Sequence, residues 1–421
     1  HNLNWEGAPR IELEIVRRQH ASGSIRPEVL SPCDGPLRLV YEEAGIPIRV
    51  EPTLGGMALH PDNYRDGIER MVELIQAGPY EVVHASTLET FWAIDAARIA
   101  GIPSVWSIHE SEPWQRYFDD LPPEVARSAL CCLAYPYRVV FSAQSTARAW
   151  SELNSCNNFE LIRFAYDAEH FRSKLAWMDR DRARRDLDLE EHDLCVLLLG
   201  TVCPRKGQVD LVRAFAALPA AIAARLKCFV VGARDRLAYS RRFQEMAAKL
   251  PRDRRDRFVV IPETGATAAY WKAADVFCCT SRLESYPLVI LEAMALGLPI
   301  VTTPVFGIAE QVRPSVNALT YEPGDIQTLA RHLTHLAEDQ SIRRALAEGS
   351  PWVLRSLPDG ARMDQLYRQA FRAAAESALP VAVAGAEPHG QHEPPAGRVV
   401  WRQQAQRAHG NRACPSRRVG L

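Results

Sequence analysis

The sequence predicts an α/β fold made of two domains, each with a parallel β-sheet covered by helices. Short apolar runs of strand length alternate with helical patterns almost throughout the chain. Parallel strands need long crossover connections, which are usually helices, so this alternation is typical of parallel sheets. The alternating series starts twice, with the charged stretch 179–191 between the two series. We therefore expect two Rossmann-like domains that face each other across a cleft.

The first series supplies five strands and five helices, which we assign to a first domain over residues 1–178. The strand candidates are apolar runs bounded by Gly, Pro or polar residues, and they lie at 26–30, 46–51, 81–85, 104–109 and 139–142. The helix candidates have apolar residues at a period near 3.6, and they lie at 11–19, 37–44, 64–76, 90–100 and 123–134.

The second series defines a second domain over residues 179–377, with a helix expected inside 179–191. Its strand candidates follow the same pattern, at 195–200, 227–231, 258–261, 276–280 and 299–303. Its helix candidates lie at 208–217, 240–250, 266–273, 326–338 and 341–349, with one more after Pro287. From residue 378 onward Pro and Gly recur and the apolar period is lost, so 378–421 is predicted to be a disordered tail.

The composition excludes several classes of protein. The 421 residues are 47% hydrophobic and 24% charged with a net charge of −1, which argues against nucleic acid as a partner. Among the ten cysteines, Cys131-Cys132 and Cys278-Cys279 are adjacent pairs in apolar stretches, which favours buried thiols over disulfides. No apolar run approaches the roughly 20 residues that span a bilayer. The sequence therefore predicts a cytoplasmic protein, and no Cys or His spacing indicates a metal site.

Glu284 and Glu292 form the most informative pattern, with seven residues between them. Residues 288–295 are apolar or small and Gly297 is a typical helix terminator, so a helix is expected there. Pro287 suits the first turn of that helix, since its missing N–H costs nothing there. Glu284 would then lie on the loop before the helix, and Glu292 on the helix itself.

The start of this helix predicts an anion site. Free N–H groups and the helix dipole favour a phosphate beside Tyr286, Pro287 and Leu288. Glu284 would then meet the sugar end of such a ligand, and Glu292 would accept hydrogen bonds from a vicinal diol such as ribose. The alternative is a solvated helix face, which the apolar neighbours oppose because a buried carboxylate without a partner is costly.

A second candidate anion site lies at 200–208, which follows a strand and opens a helix. Free backbone N–H groups and the adjacent cations Arg205 and Lys206 suit a pyrophosphate. A basic surface turn is the alternative interpretation.

Residues 281–287 (Ser-Arg-Leu-Glu-Ser-Tyr-Pro), continued by 292–295 (Glu-Ala-Met-Ala), resemble the family-4 retaining glycosyltransferases, whose fold is called GT-B. The resemblance covers residues 1 to about 375. It implies that Glu284 binds the sugar of a nucleotide-sugar donor, Glu292 its ribose and Lys206 its diphosphate. The family usually has an arginine after the first glycine of the phosphate loop, where this chain has Thr201.

The resemblance also assigns residues of the first domain. Gly7 matches a glycine loop that lies near the donor phosphates, although the strand that precedes this loop in the family is expected to be missing. His109 ends a predicted strand, where ligands of open α/β sheets bind, and the resemblance implies contact with the reacting sugar. A structural histidine is the alternative for His109, and Glu110 beside it is a candidate general base.

Several loops complete the predicted site. Pro262 and Thr264 follow a strand and are candidates to flank the nucleotide base. Phe306-Gly307 suits a close backbone approach to the donor, with Glu310 as a cap of that loop. Simple turns are the alternative for both loops. The family often has Asn-Gly where this chain has Ala165-Tyr166, so the segment between the domains is expected to differ in shape.

These observations lead to the hypothesis of a retaining glycosyltransferase in polysaccharide or glycoconjugate biosynthesis. Its donor would be a UDP- or GDP-linked sugar, its acceptor a saccharide, lipid-linked or other hydroxyl, and cations would replace any metal cofactor. Loose association with a membrane surface is implied by resemblance only. The alternatives are a sugar-nucleotide epimerase or phosphorylase on the same fold, and a catalytically impaired nucleotide-sugar binder, which Thr201 favours. A dinucleotide dehydrogenase is disfavoured, because no GxGxxG follows a predicted strand.

Overall fold

Parallel β-strands form the centre of both domains in the computed structural model, which describes residues 2–377. The strands are β1 (Val29–Ser31), β2 (Ile48–Val50), β3 (Val83–Ser86), β4 (Ser104–Ile108), β5 (Arg138–Phe141), β6 (Phe159–Leu161), β7 (Leu194–Leu199), β8 (Leu226–Ala233), β9 (Phe258–Pro262), β10 (Val276–Cys279), β11 (Ile300–Thr302) and β12 (Ala318–Thr320). The α/β class predicted from the sequence is confirmed. The predicted tail, 378–421, lies outside the described residues.

Helices connect the strands and cover the sheets. They are α1 (Gly7–Ala21), α2 (Leu37–Glu43), α3 (Pro61–Gln76), α4 (Phe91–Ala100), α5 (Trp114–Tyr117), α6 (Pro123–Cys131), α7 (Gln144–Ala149), α8 (Ala168–Lys174), α9 (Arg180–Asp186), α10 (Val209–Ala217), α11 (Ala220–Ala223), α12 (Ala238–Ala248), α13 (Arg252–Arg255), α14 (Ala268–Ala273), α15 (Leu288–Ala295), α16 (Gly307–Gln311), α17 (Ile326–Glu338), α18 (Gln340–Ser356) and α19 (Gly360–Glu376).

The second domain is built on one six-stranded sheet in the order β12-β11-β10-β7-β8-β9, with every pair parallel. Strand β7 reads Leu-Cys-Val-Leu-Leu-Leu and is almost wholly buried, as expected for a central strand with helices on both faces. Its neighbour β10 runs in the same direction, so the loops that leave β7 and β10 lie side by side at one edge of the sheet. That edge is where open α/β sheets bind ligands.

The first domain has its parallel strands in two pieces, β1-β2 and β3-β4-β5-β6. Within residues 2–377 no strand precedes α1, and β1 does not pair with β3. Helix α1 instead packs its buried residues, among them Ile11 and Ile15, into the core that continues towards the second domain.

The last helix, α19, crosses back and packs on the first domain. Arg18 of α1 donates from Nε and Nη2 to the two carboxylate oxygens of Asp364, at 2.9 and 2.6 Å. The hydroxyl of Tyr367 lies 3.3 Å from Ser107 Oγ of β4. Asp359 caps the helix by accepting from the N–H of Arg362. The end of the described chain therefore ties the two domains together.

The packing of the second domain predicts a large cost for truncating Phe215. This side chain is fully buried on α10, with its ring 5.4 Å from that of Phe258. Phe215→Ala should lower the free energy of unfolding by about 3–5 kcal/mol, because the burial is lost and a cavity remains. Urea unfolding followed by circular dichroism measures this.

The matched control is Trp352→Ala on α18, since Trp352 is 57% exposed. Its free energy of unfolding should change by less than about 0.5 kcal/mol. Equal losses in the two variants would contradict the assigned core.

Candidate functional site

The loop after β7 is held against the end of β10. Gly207 has a φ of 63°, and a Cβ added to it would lie 2.2 Å from the carbonyl oxygen of Thr280, so only glycine fits there. The hydroxyl of Thr280 donates to the carbonyl oxygen of Lys206 at 2.8 Å, and Gln208 Nε2 donates to that of Thr201 at 3.0 Å. These contacts fix Arg205 and Lys206 at the carboxyl edge of the second sheet.

Glu284 lies on the neighbouring loop, after β10, and forms ion pairs with both cations. Lys206 Nζ forms an ion pair with Glu284 Oε1, and Arg205 Nη1 lies 3.5 Å from the same oxygen. Ser281 Oγ donates to that oxygen at 2.9 Å. Burial would raise the pKa of Glu284, but Lys206 and then Arg205 outweigh it and hold the pKa below its ordinary value. Glu284 is therefore a buried, ionised carboxylate in a site rich in positive charge.

The next helix starts where the sequence predicts a phosphate site. Pro287 is the N-cap of α15, which begins at Leu288, so the first free N–H groups of the helix follow Pro287 directly. Tyr286 is buried, and burial raises the pKa of its hydroxyl, which has no hydrogen-bond partner among residues 2–377. Gly307 packs on the carbonyl of Ser285 so closely that an added Cβ would overlap it. The loop that carries Glu284 is thus fixed from both sides.

Glu292 lies on α15, 2% exposed, and contacts the first domain. Arg10 of α1 donates from Nη2 to Glu292 Oε1 at 2.7 Å, and the Tyr166 hydroxyl lies 3.4 Å from that oxygen. Burial would lower the pKa of Arg10, but Glu292 outweighs it and raises the pKa. Sequence reasoning gave no role to Arg10 or Tyr166. The available signals were the position of Arg10 just after the Gly7 turn and the departure of Tyr166 from the family pattern.

The loops after β8 and β9 meet through an arginine. Arg234 donates to both carboxylate oxygens of Glu263, at 2.6 and 2.5 Å, and its Nη2 lies 2.9 Å from Oε1 of Glu6 in the first domain. Pro262 ends β9 and is exposed, while Thr264 Oγ1 accepts from the N–H of Ala266 within its own loop. Arg234 and Glu263 are therefore the charged groups beside the two predicted base contacts, and sequence reasoning missed Arg234.

The first domain contributes the loops after β3 and β4. Glu110 Oε2 accepts from the backbone N–H groups of His109 and Leu88, both at 3.0 Å, so this carboxylate ties the two loops together. The pKa of Arg205 is raised. Burial has the largest effect and lowers this pKa, but Glu284 and Cys203 raise it. Glu112 and Glu110 raise it further, because both carboxylates lie near Arg205. The strand end that carries His109 therefore faces the cations of the second domain.

His109 and Gly7 are placed differently from the cluster around Glu284. The half-buried Glu12 of α1 pairs with His84, with Oε1 3.0 Å from Nδ1. Burial would raise the pKa of Glu12, but His84 and then His109 lower it, so His109 lies near this pair. Gly7 is exposed at the start of α1, and an added Cβ would meet nothing within 4 Å. The fold itself does not require glycine at that position.

Glu310 joins the domains at the opposite side of the Glu284 loop. Its Oε1 accepts from the N–H of Ser145 at 2.8 Å, and its Oε2 accepts from the N–H of Gln144 at 3.1 Å and from Arg163 Nη2 at 2.8 Å. The sequence predicted a cap of its own loop. In the structure the carboxylate instead accepts from the start of α7 in the first domain.

The arrangement can bind a diphosphate and a hydroxyl-rich group side by side. Cations and helix N–H groups at the edge of a parallel sheet suit phosphate oxygens, and ionised carboxylates suit sugar hydroxyls. Within residues 2–377 no group of three His, Cys, Asp or Glu side chains is placed to hold a metal ion. No helix in that range is both long and apolar enough to cross a membrane.

Two Rossmann-like domains with this cleft define the GT-B fold, and solved structures agree. HepE from Anabaena, solved in complex with UDP and glucose, matches 87% of this chain and 96% of its own with a TM-score of 0.72 at 20% identity. WaaG, a glycosyltransferase involved in lipopolysaccharide biosynthesis, matches 87% of this chain and 97% of its own with a TM-score of 0.68 at 16% identity. At these identities the likeness shows the fold.

The sequence of the second domain matches a known family. Residues 179–351 match the model of the glycosyl transferases group 1 family. The D-inositol 3-phosphate glycosyltransferase of Salinispora arenicola is 36% identical over 182 residues, which are 41% of this chain and 40% of that protein. Its counterpart from Streptosporangium roseum is 26% identical over 302 residues, or 68% of each chain. The chain thus spans less than half the length of the Salinispora relative.

The buried pair at Glu284 predicts a large effect of removing its cation. Lys206→Met leaves a buried carboxylate beside only the half-exposed Arg205 and Ser281, and should lower the free energy of unfolding at pH 7 by about 3 kcal/mol. The double variant Lys206→Met/Glu284→Gln should recover part of that loss. Urea unfolding measures both, with the exposed Lys249→Met as control; a double variant less stable than the single one would contradict the pair.

The lowered pKa of Glu284 predicts how stability varies with pH. The folded-state pKa lies below the unfolded value of about 4.3, so the stabilisation is full above that value and is lost as the pH falls through the folded-state pKa. The difference in free energy of unfolding between the wild type and Glu284→Gln should therefore shrink between pH 7 and pH 3. A difference that stays constant over this range would contradict an ionised Glu284.

Proposed function

We propose that the chain is a retaining glycosyltransferase that moves a sugar from a nucleotide-diphosphate donor to an acceptor hydroxyl. The observation that carries the proposal is the cluster of Lys206, Arg205 and Glu284 at the carboxyl ends of β7 and β10. It lies beside the N-terminus of α15 and faces the first domain. The complexes of HepE with UDP and with UDP-glucose support a UDP-linked donor on this fold, and a GDP-linked donor is the alternative.

The cations would act on the leaving group. As the bond between the anomeric carbon and the phosphate oxygen breaks, negative charge grows on the diphosphate. Lys206, Arg205 and the N–H groups at the start of α15, near Tyr286, Pro287 and Leu288, would stabilise that charge. Such preorganised electrostatic stabilisation is usually the largest contribution to catalysis. These cations would take the place of a metal ion, so we propose that no metal is required.

The carboxylates would hold the donor. Glu284, kept ionised by Lys206 and Arg205, would accept hydrogen bonds from the sugar, and Glu292 from the ribose. Pro262 and Thr264 would flank the base. His109 would contact the reacting sugar from the first domain, with Gly7 near the phosphates, and the acceptor would lie against the loops after β3 and β4. We propose a saccharide, lipid-linked or other hydroxyl acceptor in polysaccharide or glycoconjugate synthesis, and a cytoplasmic site of action that extends to the membrane surface.

One observation favours a second candidate, a nucleotide-sugar binder with impaired catalysis. Thr201 stands where the family usually has an arginine, which leaves Lys206 and the half-exposed Arg205 as the cations of this loop. Such a protein would bind the donor and release no sugar to any acceptor.

Nucleotide binding is the first test of the proposed function. Isothermal titration calorimetry with UDP, GDP and ADP should show one nucleotide that binds well. Its Kd should rise at least about tenfold in Lys206→Ala and in Glu292→Ala, since each removes charge-assisted hydrogen bonds. The control Lys249→Ala, at the exposed C-cap of α12, should bind as the wild type does. A folded wild-type protein that binds none of the three would refute the proposal.

Transfer itself is tested with Glu284→Gln. With the matching nucleotide-sugar and a panel of sugar acceptors, kcat should fall at least about tenfold because the group that holds the reacting sugar is lost. The Kd for the free nucleotide should change little. Anomeric configuration of the product, read by NMR, distinguishes retention from inversion, and free epimer or sugar phosphate would identify an epimerase or phosphorylase. Unchanged transfer by Glu284→Gln would remove its proposed role, and donor binding without any product would establish the binder.

A further inference from the structure

Two charged residues at the start of α1 reach across the cleft to the second domain. Glu6 immediately precedes α1, and Arg10 follows one turn later. Glu6 accepts from Arg234 at 2.9 Å, and Arg10 donates to Glu292 at 2.7 Å. The two contacts have opposite polarity, so a shift of the helix by one turn would bring like charges together. The contacts therefore fix one register between α1 and the second domain.

The two oxygens of Glu292 have different surroundings. Oε1 accepts from Arg10 and from the Tyr166 hydroxyl. Oε2 accepts no hydrogen bond from any residue in the described part of the chain, yet it is not among the fully buried polar atoms that lack a partner. Hence Oε2 is not fully buried. The first domain thus holds one oxygen in place and leaves the other oxygen to a ligand.

We propose that Arg10 is a positioning residue for the nucleoside of the donor. It orients Glu292 from the opposite domain, so that Oε2 receives a ribose hydroxyl only when the cleft is closed. The ion pair between Glu6 and Arg234 holds that closure beside the loop of Glu263. This inference rests on the proposed nucleotide-sugar site and adds that the two domains share its ribose subsite.

Burial explains why the contact matters for binding. Glu292 is almost completely buried, and its charge is balanced by one guanidinium that belongs to the other domain. When the domains separate, the carboxylate loses its strongest donor and is free to turn away from the ribose position. A ligand that needs this oxygen then has to restore the closed arrangement and binds more weakly. A ligand that contacts only the phosphate loop does not depend on it.

The experiment compares Arg10→Gln and Glu6→Gln with Arg17→Gln. Arg17 lies on the same helix, 40% exposed, and its partner Glu14 belongs to α1 itself. Small-angle X-ray scattering of the ligand-free proteins should show a larger radius of gyration for Arg10→Gln and Glu6→Gln, and no change for Arg17→Gln. Calorimetry should show that Arg10→Gln raises the Kd for the best-binding nucleotide of UDP, GDP and ADP about tenfold. Inorganic pyrophosphate should bind all variants equally.

The epistasis between Arg10 and Glu292 decides whether Arg10 acts through the carboxylate. In a Glu292→Gln background, Arg10→Gln should cause no further loss of nucleotide affinity, and Arg10→Lys in the wild-type background should recover part of it. An unchanged radius of gyration together with unchanged nucleotide affinity would overturn the inference, as would an equal loss for pyrophosphate. If the wild type binds no nucleotide, the proposed function fails. The radius of gyration alone then tests the closure. An unchanged radius of gyration in both Arg10→Gln and Glu6→Gln would overturn the closure.

Discussion

The buried ion pair between Lys206 and Glu284 is the contact on which the second domain's side of the cleft depends. It joins the loop after β7 to the loop after β10, and both loops owe their position to the parallel pairing of those strands. A buried charge is tolerated only with a partner, and the desolvation of both groups offsets much of their attraction. The pair therefore contributes little net stability while it forces two loops into one arrangement. A phosphate that approaches Lys206 meets a cation whose position is already set, which reduces the ordering cost of binding.

Carboxylates also make the contacts between the domains. Glu292, Glu310 and Asp364 accept from arginines of the first domain, and Glu310 accepts from backbone N–H groups as well. Polar contacts of this kind separate at lower cost than an apolar interface, so relative movement of the domains is expected. Helix α19 differs, because it packs apolar residues such as Phe371 and Ala374 into the shared core. The domains are thus tethered at one end and joined by charges along the cleft.

The sequence predicted the order of elements well because parallel α/β folds repeat strongly apolar strands such as β7 and amphipathic helices such as α17. It missed the strands β6 and β12 and the helices α5, α7, α8, α11, α13, α16 and α19. The first two have only three residues each and partial burial, so their pattern is too short to detect. Helix α18 was predicted to end at 349, but it continues through Pro351 to Ser356. Proline removes one hydrogen bond, and packing of Leu346, Ser350 and Val353 outweighs that loss.

The residues of the candidate site also fall into two groups, those that the sequence pattern reveals and those that it does not. The placement of Glu284 and Lys206 on loops at the carboxyl ends of strands could be predicted, since each loop follows an apolar run of strand length in the sequence. Arg10, Tyr166 and Arg234 were not, because each contacts a residue of the other domain that lies more than one hundred positions away in the sequence. A single sequence gives no record of such pairs. The contacts between the domains are therefore the part of the site that only the structure could supply.

The two walls of the cleft carry charges of opposite sign. The loop after β7, within the domain that the family model matches, presents Arg205 and Lys206. The loop after β4 of the first domain places Glu110 and Glu112 near Arg205. Opposite charges in a partly desolvated cleft attract each other more strongly than they would in water. The cation that pairs with Glu284 therefore also interacts with the first domain, so the same loop contributes to the candidate site and to the contact between the domains.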